Sequence, residues 1–186
     1  MGRWEPDAAG RLRTAALELH VERGFEQTTV AEIAERAGVT ARTFFRYFSD
    51  KREVLFGGSE HLQAAMVAAV ESAPAASAPL DVVAAALTAA AEMIGGNRAY
   101  AEQRWSVISA NADLRERELM KMESLAAALA DALRGRGVPD PRAGLAAEAG
   151  IAVFRVGFER WVSGPTAELA DVLAAALADL RVLAAG

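Results

Sequence analysis

The sequence predicts an all-α protein of about nine helices, with a small N-terminal three-helix domain followed by a larger helical one. Two observations carry that expectation. No segment alternates apolar and polar residues with the period of two that a half-buried strand needs, and Ala, Leu, Glu and Arg, all good helix formers, dominate beyond residue 55. Glycine and proline clusters then divide the chain into pieces of helix length. A composition of 53% hydrophobic and 24% charged residues over 186 positions fits one large or two small globular domains and leaves disorder to the ends.

The most informative stretch runs from Thr28 to Lys51. Thr29 followed by Glu32 forms a capping box, which starts a helix. Val30, Ile33, Ala34 and Ala37 recur at helical spacing, and Gly38 stands where a left-handed residue closes the helix after about two turns. Val39 plugs the turn, and Thr40 caps a second short helix from Ala41 to about Phe48. Two short helices across a turn of about three or four residues make a helix-turn-helix. Asp50 and Glu53 repeat the capping-box pattern and predict one long connecting helix from Asp50 to about Ala73.

Phe44 and Phe48, four apart, face the core with Val30, Ile33 and Leu55. Thr40, Ala41, Arg42, Thr43, Arg46 and Tyr47 are left outward. Hydroxyl and guanidinium groups on one face suit a DNA groove: arginine pairs bidentately with guanine, whereas Thr, Tyr and Lys hold phosphates. The alternative is that Arg42 and Arg46 are only solvated helix charges.

The segment from Arg11 to Leu55 resembles the DNA-binding domain of the tetracycline-repressor (TetR) family of transcription regulators. The likeness is carried by Arg23-Gly24-Phe25, Thr28-Thr29-Val30, Ala37-Gly38-Val39 and Thr43-Phe44-Phe45-Arg46-Tyr47-Phe48. It implies that Thr29, Thr43, Tyr47 and Lys51 hold phosphates and that Thr40, Ala41, Arg42 and Arg46 lie nearest the base edges. Two residues depart from the family's pattern. Phe45 stands where many relatives have tyrosine, and His20 where a large apolar side chain is usual; His20 reads as a packed core histidine or, alternatively, as a pH sensor.

The net charge of −5 divides unevenly. Residues 1–56 hold nine Lys and Arg against nine Asp and Glu, whereas 57–186 hold eleven against sixteen. Within 37–52, Arg42, Arg46, Lys51 and Arg52 face only Asp50. At about −0.9 in salt slope per neutralised phosphate, about four contacts bind weakly, so two copies on a two-half-site operator are expected. The implied division is a helix-turn-helix domain over 1–56 and a helical ligand-binding and dimerisation domain over 57–186.

In that second part Pro74 to Pro79 marks a break before a helix from Asp81 to about Ile94, and Gly95-Gly96-Asn97 marks another. Helices then run from about Arg98 to Ser109, Asp113 to Arg134, Pro141 to Val162 and Pro165 to Leu183, with both prolines in first turns. The last two carry Leu145, Ala149, Ala152, Val153, Val156 and Val162, then Leu169, Val172, Leu173, Ala176, Leu177, Leu180 and Leu183. That apolar surface fits a four-helix dimer interface, as in the resembled family, or else a single monomeric core.

Met93, Trp105, Ile108, Met120, Met122, Phe154, Phe158 and Trp161 are large side chains in an alanine-rich bundle. They fit either an apolar ligand cavity or ordinary core. The stretch from Tyr100 to Leu119 resembles a TetR subgroup with acyl-CoA-like ligands. The likeness implies that Arg98, Arg104, Arg115 or Arg117 meets an anionic head group; the alternative pairs them with Glu102, Glu116 or Glu118. The resemblance implies a repressor that binds a palindromic operator as a homodimer and is released by an apolar ligand. Such a ligand would tilt the helix after Asp50 and change the spacing of two recognition helices from about 34–36 Å. Gly57-Gly58 would be a hinge in that helix or a point of close packing.

An enzyme is not expected. His20 and His61 lack nucleophile and acid partners in sequence, no H-x-x-x-H metal pair occurs, and no glycine-rich loop follows a strand. No cofactor or metal is implied. The absence of cysteine, of a signal peptide and of an uninterrupted apolar span of about 18 residues suggests a cytoplasmic protein with no membrane contact. A helical protein–protein interaction module without DNA binding is the competing reading, and the basic face of Thr40 to Phe48 argues against it.

Overall fold

A computed structural model describes residues 7–165 and 167–186. Among these residues all regular structure is helical: α1 (Ala8–Arg23), α2 (Val30–Arg36), α3 (Ala41–Tyr47), a 3-10 turn (Glu53–Phe56), α4 (Ser59–Ser72), α5 (Pro79–Ile94), a 3-10 turn (Gly95–Asn97), α6 (Arg98–Ala110), α7 (Ala112–Gly135), α8 (Arg142–Ser163) and α9 (Leu169–Ala185). They form two compact units. The first holds Met1–Gly58 and Gln103–Glu118, the second Ser59–Glu102 and Leu119–Gly186. A linear division after residue 56 does not contain the Gln103–Glu118 stretch, which the chain contributes to the first unit from a distance.

In the first unit α1 packs on α2 and α3, and α2 on α3. Leu12, Ala16, Leu19, Ile33, Phe44 and Val54 are fully buried there. At about 1.5–3 kcal/mol for each large apolar side chain removed from water, this small core holds two seven-residue helices that would not persist alone. The caps follow the sequence. Asp7 accepts from Gly10 N–H, Thr29 and Glu32 form the complete capping box, Thr40 accepts from Thr43 N–H, and Gly38 has φ +70°. Two asparagines do the same work unannounced by any box: Asn97 Oδ1 accepts from Tyr100 N–H and Asn111 Oδ1 from Leu114 N–H.

The expected continuous helix from Asp50 to Ala73 is not formed. Asp50 does cap, accepting from Arg52 and Glu53 N–H, but only a 3-10 turn follows, and the chain breaks at Gly57-Gly58 before α4. The cause is local. A Cβ on Gly57 would lie 2.8 Å from the Phe48 ring, and Gly58 has φ +117°, which side chains other than glycine rarely adopt.

In the second unit α5 packs on α4, α8 and α9, and α8 on α9. Val82, Val83, Ala86, Ala90, Ala143, Ala147, Leu169 and Leu173 are buried between them. Gly95-Gly96-Asn97 ends α5 and leads through a 3-10 turn into α6, at the expected place, with Gly95 N–H still donating to Ala91 O. Two expectations are corrected here. Counted through that turn, the run Pro79–Ala110 is long and apolar enough to span a membrane by length and composition, with an 18-residue window of mean hydropathy 1.3; Val82, Val83, Ala86, Leu87, Ala90 and Ala91 of α5 are buried within the second unit. The last helix begins at Leu169 and not at Pro165, because the Gly164 and Pro165 carbonyls accept from the Arg98 guanidinium and Trp161 Nε1–H donates to Ala167 O at 2.9 Å. Thr166, within the expected helix, lies outside the described residues. Arg136 closes the end of α4 by donating to the Glu71, Ala73 and Pro74 carbonyls.

Candidate nucleic-acid interface

The exposed side of α3 is the centre of the interface. Its inward side chains are Phe44, fully buried, and Phe48 just beyond the helix end, tilted together with centroids 5.5 Å apart. That anchoring turns Thr40, Ala41, Arg42, Phe45, Arg46 and Tyr47 to solvent, with Thr43 half-buried. Arg42 makes no hydrogen bond or ion pair among the described residues. Arg46 lies over the Tyr47 ring at 4.8 Å and donates to its hydroxyl at 3.0 Å. Thr40 and Thr43 hydroxyls are 3.1 Å apart. The Arg42 and Arg46 guanidiniums therefore project from one side of a short, rigidly seated helix, flanked by hydroxyls. This donor set can meet base edges and phosphates.

Thr29 sits exposed at the start of α2 with its hydroxyl on Glu32, whose carboxyl is held below the usual range by the Thr29 backbone N–H, the Thr29 hydroxyl and Arg23. Lys51 is half-buried; its ammonium donates to Phe25 O at 2.8 Å and lies 4.2 Å from the Phe25 ring. It keeps two further N–H donors for a phosphate. Three other basic groups of the unit are occupied. Arg36 is held by Glu22 at 3.0 Å and Glu18 at 3.3 Å, Arg23 by Glu32, and Arg13 donates to Gly57 O. Acidic groups near α3 are neutralised in turn, since Arg117 pairs with Asp50 at 3.2 Å and Glu53 at 3.1 Å.

Buried on α1 of the same unit is His20, 3% exposed, with neither ring nitrogen hydrogen-bonded among the described residues. Its ring meets Phe25 edge-on at 5.2 Å. Burial, and secondarily the Lys51 charge, lower its pKa from 6.5 to about 4. It is a neutral core group at ordinary pH. The neighbouring buried hydroxyl of Thr28 is satisfied by the Leu19 and Gly24 carbonyls and fixes the link between α1 and α2.

Of the arginines considered for an anionic head group, three are bound elsewhere. Arg98 pairs with Glu102, holds the Gly164 and Pro165 carbonyls and lies over the Trp161 ring. Arg104 donates to Leu55 O at 2.8 Å and to Glu118 at 3.1 Å and lies over the Phe56 ring, and Arg117 binds Asp50 and Glu53. Arg104 and Arg117, with Asn111 on Glu26, stitch Gln103–Glu118 to the helix-turn-helix. Their hydrogen-bond partners within residues 1–58 are 49 to 85 residues away, beyond any local pattern. Arg115 is exposed.

The large apolar residues divide as well. Trp105, half-buried, and Ile108, fully buried, belong to the first unit. Phe154, Phe158 and Trp161 form a buried aromatic row along α8 in the second, with centroids 5.9 and 5.8 Å apart. Met93 and Met120 are about half exposed, and Met122 is half-buried. A cavity of about 640 Å³ runs between α4 and α7, lined by Gln63, Val67, Ala128, Asp131 and Arg136 among others. A smaller one of about 290 Å³ shares Gln63 and is lined by Ser59, Leu62, Lys121, Met122 and Leu125. Met122 is the one large residue singled out from the sequence that lines either.

These features define a helical protein that presents a capped helix-turn-helix with a basic, hydroxyl-rich second helix. Comparison with known proteins agrees. The family model for bacterial regulatory proteins of the tetR family matches residues 12–56, and that for the MftR C-terminal domain matches 77–184. The chain is 43% identical over 74 residues to the HTH-type transcriptional regulator TcmR of Streptomyces glaucescens, a match covering 40% of this chain and 33% of that curated relative's length. Among solved structures, a TetR-family regulator of Syntrophomonas wolfei superposes with a TM-score of 0.70 at 18% identity, covering 97% of this chain and 96% of that one. Thermus thermophilus FadR, a TetR-family repressor solved with lauroyl-CoA, is 26% identical with a TM-score of 0.57 and 91% coverage of each chain. The chain belongs to the TetR family of bacterial regulatory proteins.

Proposed function

We propose that this chain is a cytoplasmic DNA-binding transcriptional regulator, acting as a repressor that holds a palindromic operator as a homodimer. The observation that carries the reading is the exposed face of α3, where the unpaired Arg42 and the Tyr47-supported Arg46 stand beside Thr40 and Ala41 on a helix seated by Phe44. Arg42 and Arg46 are assigned to base edges, and Thr29, Thr43, Tyr47 and Lys51 to phosphates. The small number of available cations calls for two copies. A dimer surface on α8 and α9 is supported by exposed Leu145, Val156, Val182 and Leu183, each more than 60% accessible. The effector is a small apolar or acyl-CoA-like ligand, a reading supported by the likeness to the lauroyl-CoA-bound Thermus protein.

A salt-dependent gel shift on DNA upstream of the protein's own gene tests the DNA reading. Arg46→Ala is expected to weaken the shift about tenfold or more while the protein sediments unchanged, in line with about 1–3 kcal/mol for a bidentate base contact. Equal binding by wild type and the Arg42→Ala, Arg46→Ala double variant would contradict it. Addition of lauroyl-CoA is expected to release the DNA, and Phe158→Ala to raise the concentration required.

A further inference from the structure

Phe45 is 58% exposed on α3, the largest apolar side chain turned outward from that helix. Nothing in the core requires it there, because Phe44 and Phe48 already fill the inward side and Phe45 touches Phe44 only by an edge, centroids 5.4 Å apart at 81°. The contact nevertheless restricts the ring's direction. At 100° per residue Phe45 lies on the same edge of the helix as Ala41, one turn earlier, and about 60° around from Arg42. Ala41 is also exposed. The outward side of α3 therefore has two parts: a guanidinium row of Arg42 and Arg46, and beside it an apolar notch formed by the Ala41 methyl and the Phe45 ring. Tyr47, on the opposite flank, carries the hydroxyl suited to a phosphate; Phe45 has no polar atom with which to hold one.

A major groove offers one apolar group with sequence information, the C5-methyl of thymine. We infer that Phe45, with Ala41, is a specificity-determining residue that reads a thymine methyl in each half-site, next to the guanine read by Arg42. The separation fits: three residues rise about 4.5 Å along a helix, a little more than one base step of about 3.4 Å. This inference rests on the DNA-binding reading proposed above and adds to it a base identity and the residue that selects it.

The test uses the full-length protein and DNA that it selects from a random pool. Each thymine of the selected site is replaced in turn by deoxyuridine, which removes the methyl and leaves the Watson–Crick edge intact, and affinity is measured by fluorescence anisotropy at one salt concentration. At one thymine per half-site the loss of the methyl is expected to weaken wild-type binding about fourfold, and about fifteenfold when both half-sites are changed, as for one buried methyl each. Phe45→Ala is expected to bind thymine and deoxyuridine sites equally, within twofold, while Phe45→Leu retains part of the preference. The scan on unaltered protein needs no variant, so a folding defect in Phe45→Ala cannot mask the answer. Specific binding with no thymine sensitive to demethylation, or the same sensitivity in Phe45→Ala and wild type, would overturn the assignment to Phe45 and leave the regulator reading standing. Failure of wild type to select any sequence would overturn both.

Discussion

Replacing His20 by leucine is expected to stabilise the protein and to remove an acid sensitivity that the buried imidazole imposes. Both ring nitrogens lack partners among the described residues, and an unsatisfied buried donor or acceptor costs about 1–3 kcal/mol, so the variant should gain at least about 1 kcal/mol at pH 7.5. The pH dependence follows from linkage. The folded pKa of about 4 lies below the unfolded 6.5, so the unfolded chain binds the proton first. The stability associated with neutral His20 is complete above pH 6.5, falls as the pH drops from 6.5 to about 4, and changes little below that. With these two values the loss is about 1.4 kcal/mol at pH 5.5 and about 2.6 kcal/mol at pH 4.5, from about 1.36 kcal/mol per pKa unit. Urea unfolding of wild type and His20→Leu, followed by far-UV circular dichroism at pH 7.5, 5.5 and 4.5 and constant ionic strength, isolates the effect, because other titrating groups cancel in the difference. The advantage of the variant is expected to widen by those amounts as the pH falls. A difference that stays flat between pH 7.5 and 4.5 would refute the claim that the ring is buried, unpaired and neutral.

Other perturbations test the remaining geometry. Gly58→Ala forces a side chain into φ +117° and is expected to cost about 1–3 kcal/mol in chemical denaturation; a neutral result would contradict the local reason given for the break before α4. Arg117→Ala leaves Asp50 and Glu53 without that cation beside α3, so operator affinity is expected to fall several-fold at low salt and to converge with wild type at high salt, where the added negative potential is screened. Val156→Glu combined with Leu183→Glu places charges on the exposed apolar sides of α8 and α9. It is expected to yield monomers in sedimentation with unchanged helical content where wild type yields dimers; dimers persisting in that variant would place the dimer surface elsewhere, and a monomeric wild type would contradict the dimer itself.

Short-range chemistry was the legible part of this chain. The capping box at Thr29 and Glu32, the cap at Thr40, the left-handed Gly38 and the inward pair Phe44 and Phe48 depend on residues no more than four apart, and each stands as the spacing predicts. The connector was misread because periodicity registers that glycine weakens a helix, but not that Phe48 and Arg13 crowd Gly57 from elsewhere in the first unit. The start of α9 was misread for a similar reason. Pro165 suits a first turn locally, yet its carbonyl is held by Arg98, 67 residues earlier. At the candidate DNA interface the sequence identified the exposed side of α3. It did not foresee that Lys51 would rest on Phe25 or that Arg117 would neutralise Asp50, since both depend on tertiary neighbours. Three of the four arginines read as possible ligand contacts, Arg98, Arg104 and Arg117, tie segments of the chain together, and residue type alone does not distinguish the two roles.

Whether two copies of α3 read two half-sites is decided by the stoichiometry and salt dependence of binding to DNA selected by the full-length protein. An enriched inverted repeat, two protein chains per duplex, and a slope of log affinity against log salt twice as steep as that of a single copy are expected. Selection that enriches no sequence, or a saturated complex with one chain per duplex and a slope near the single-copy value, would contradict it.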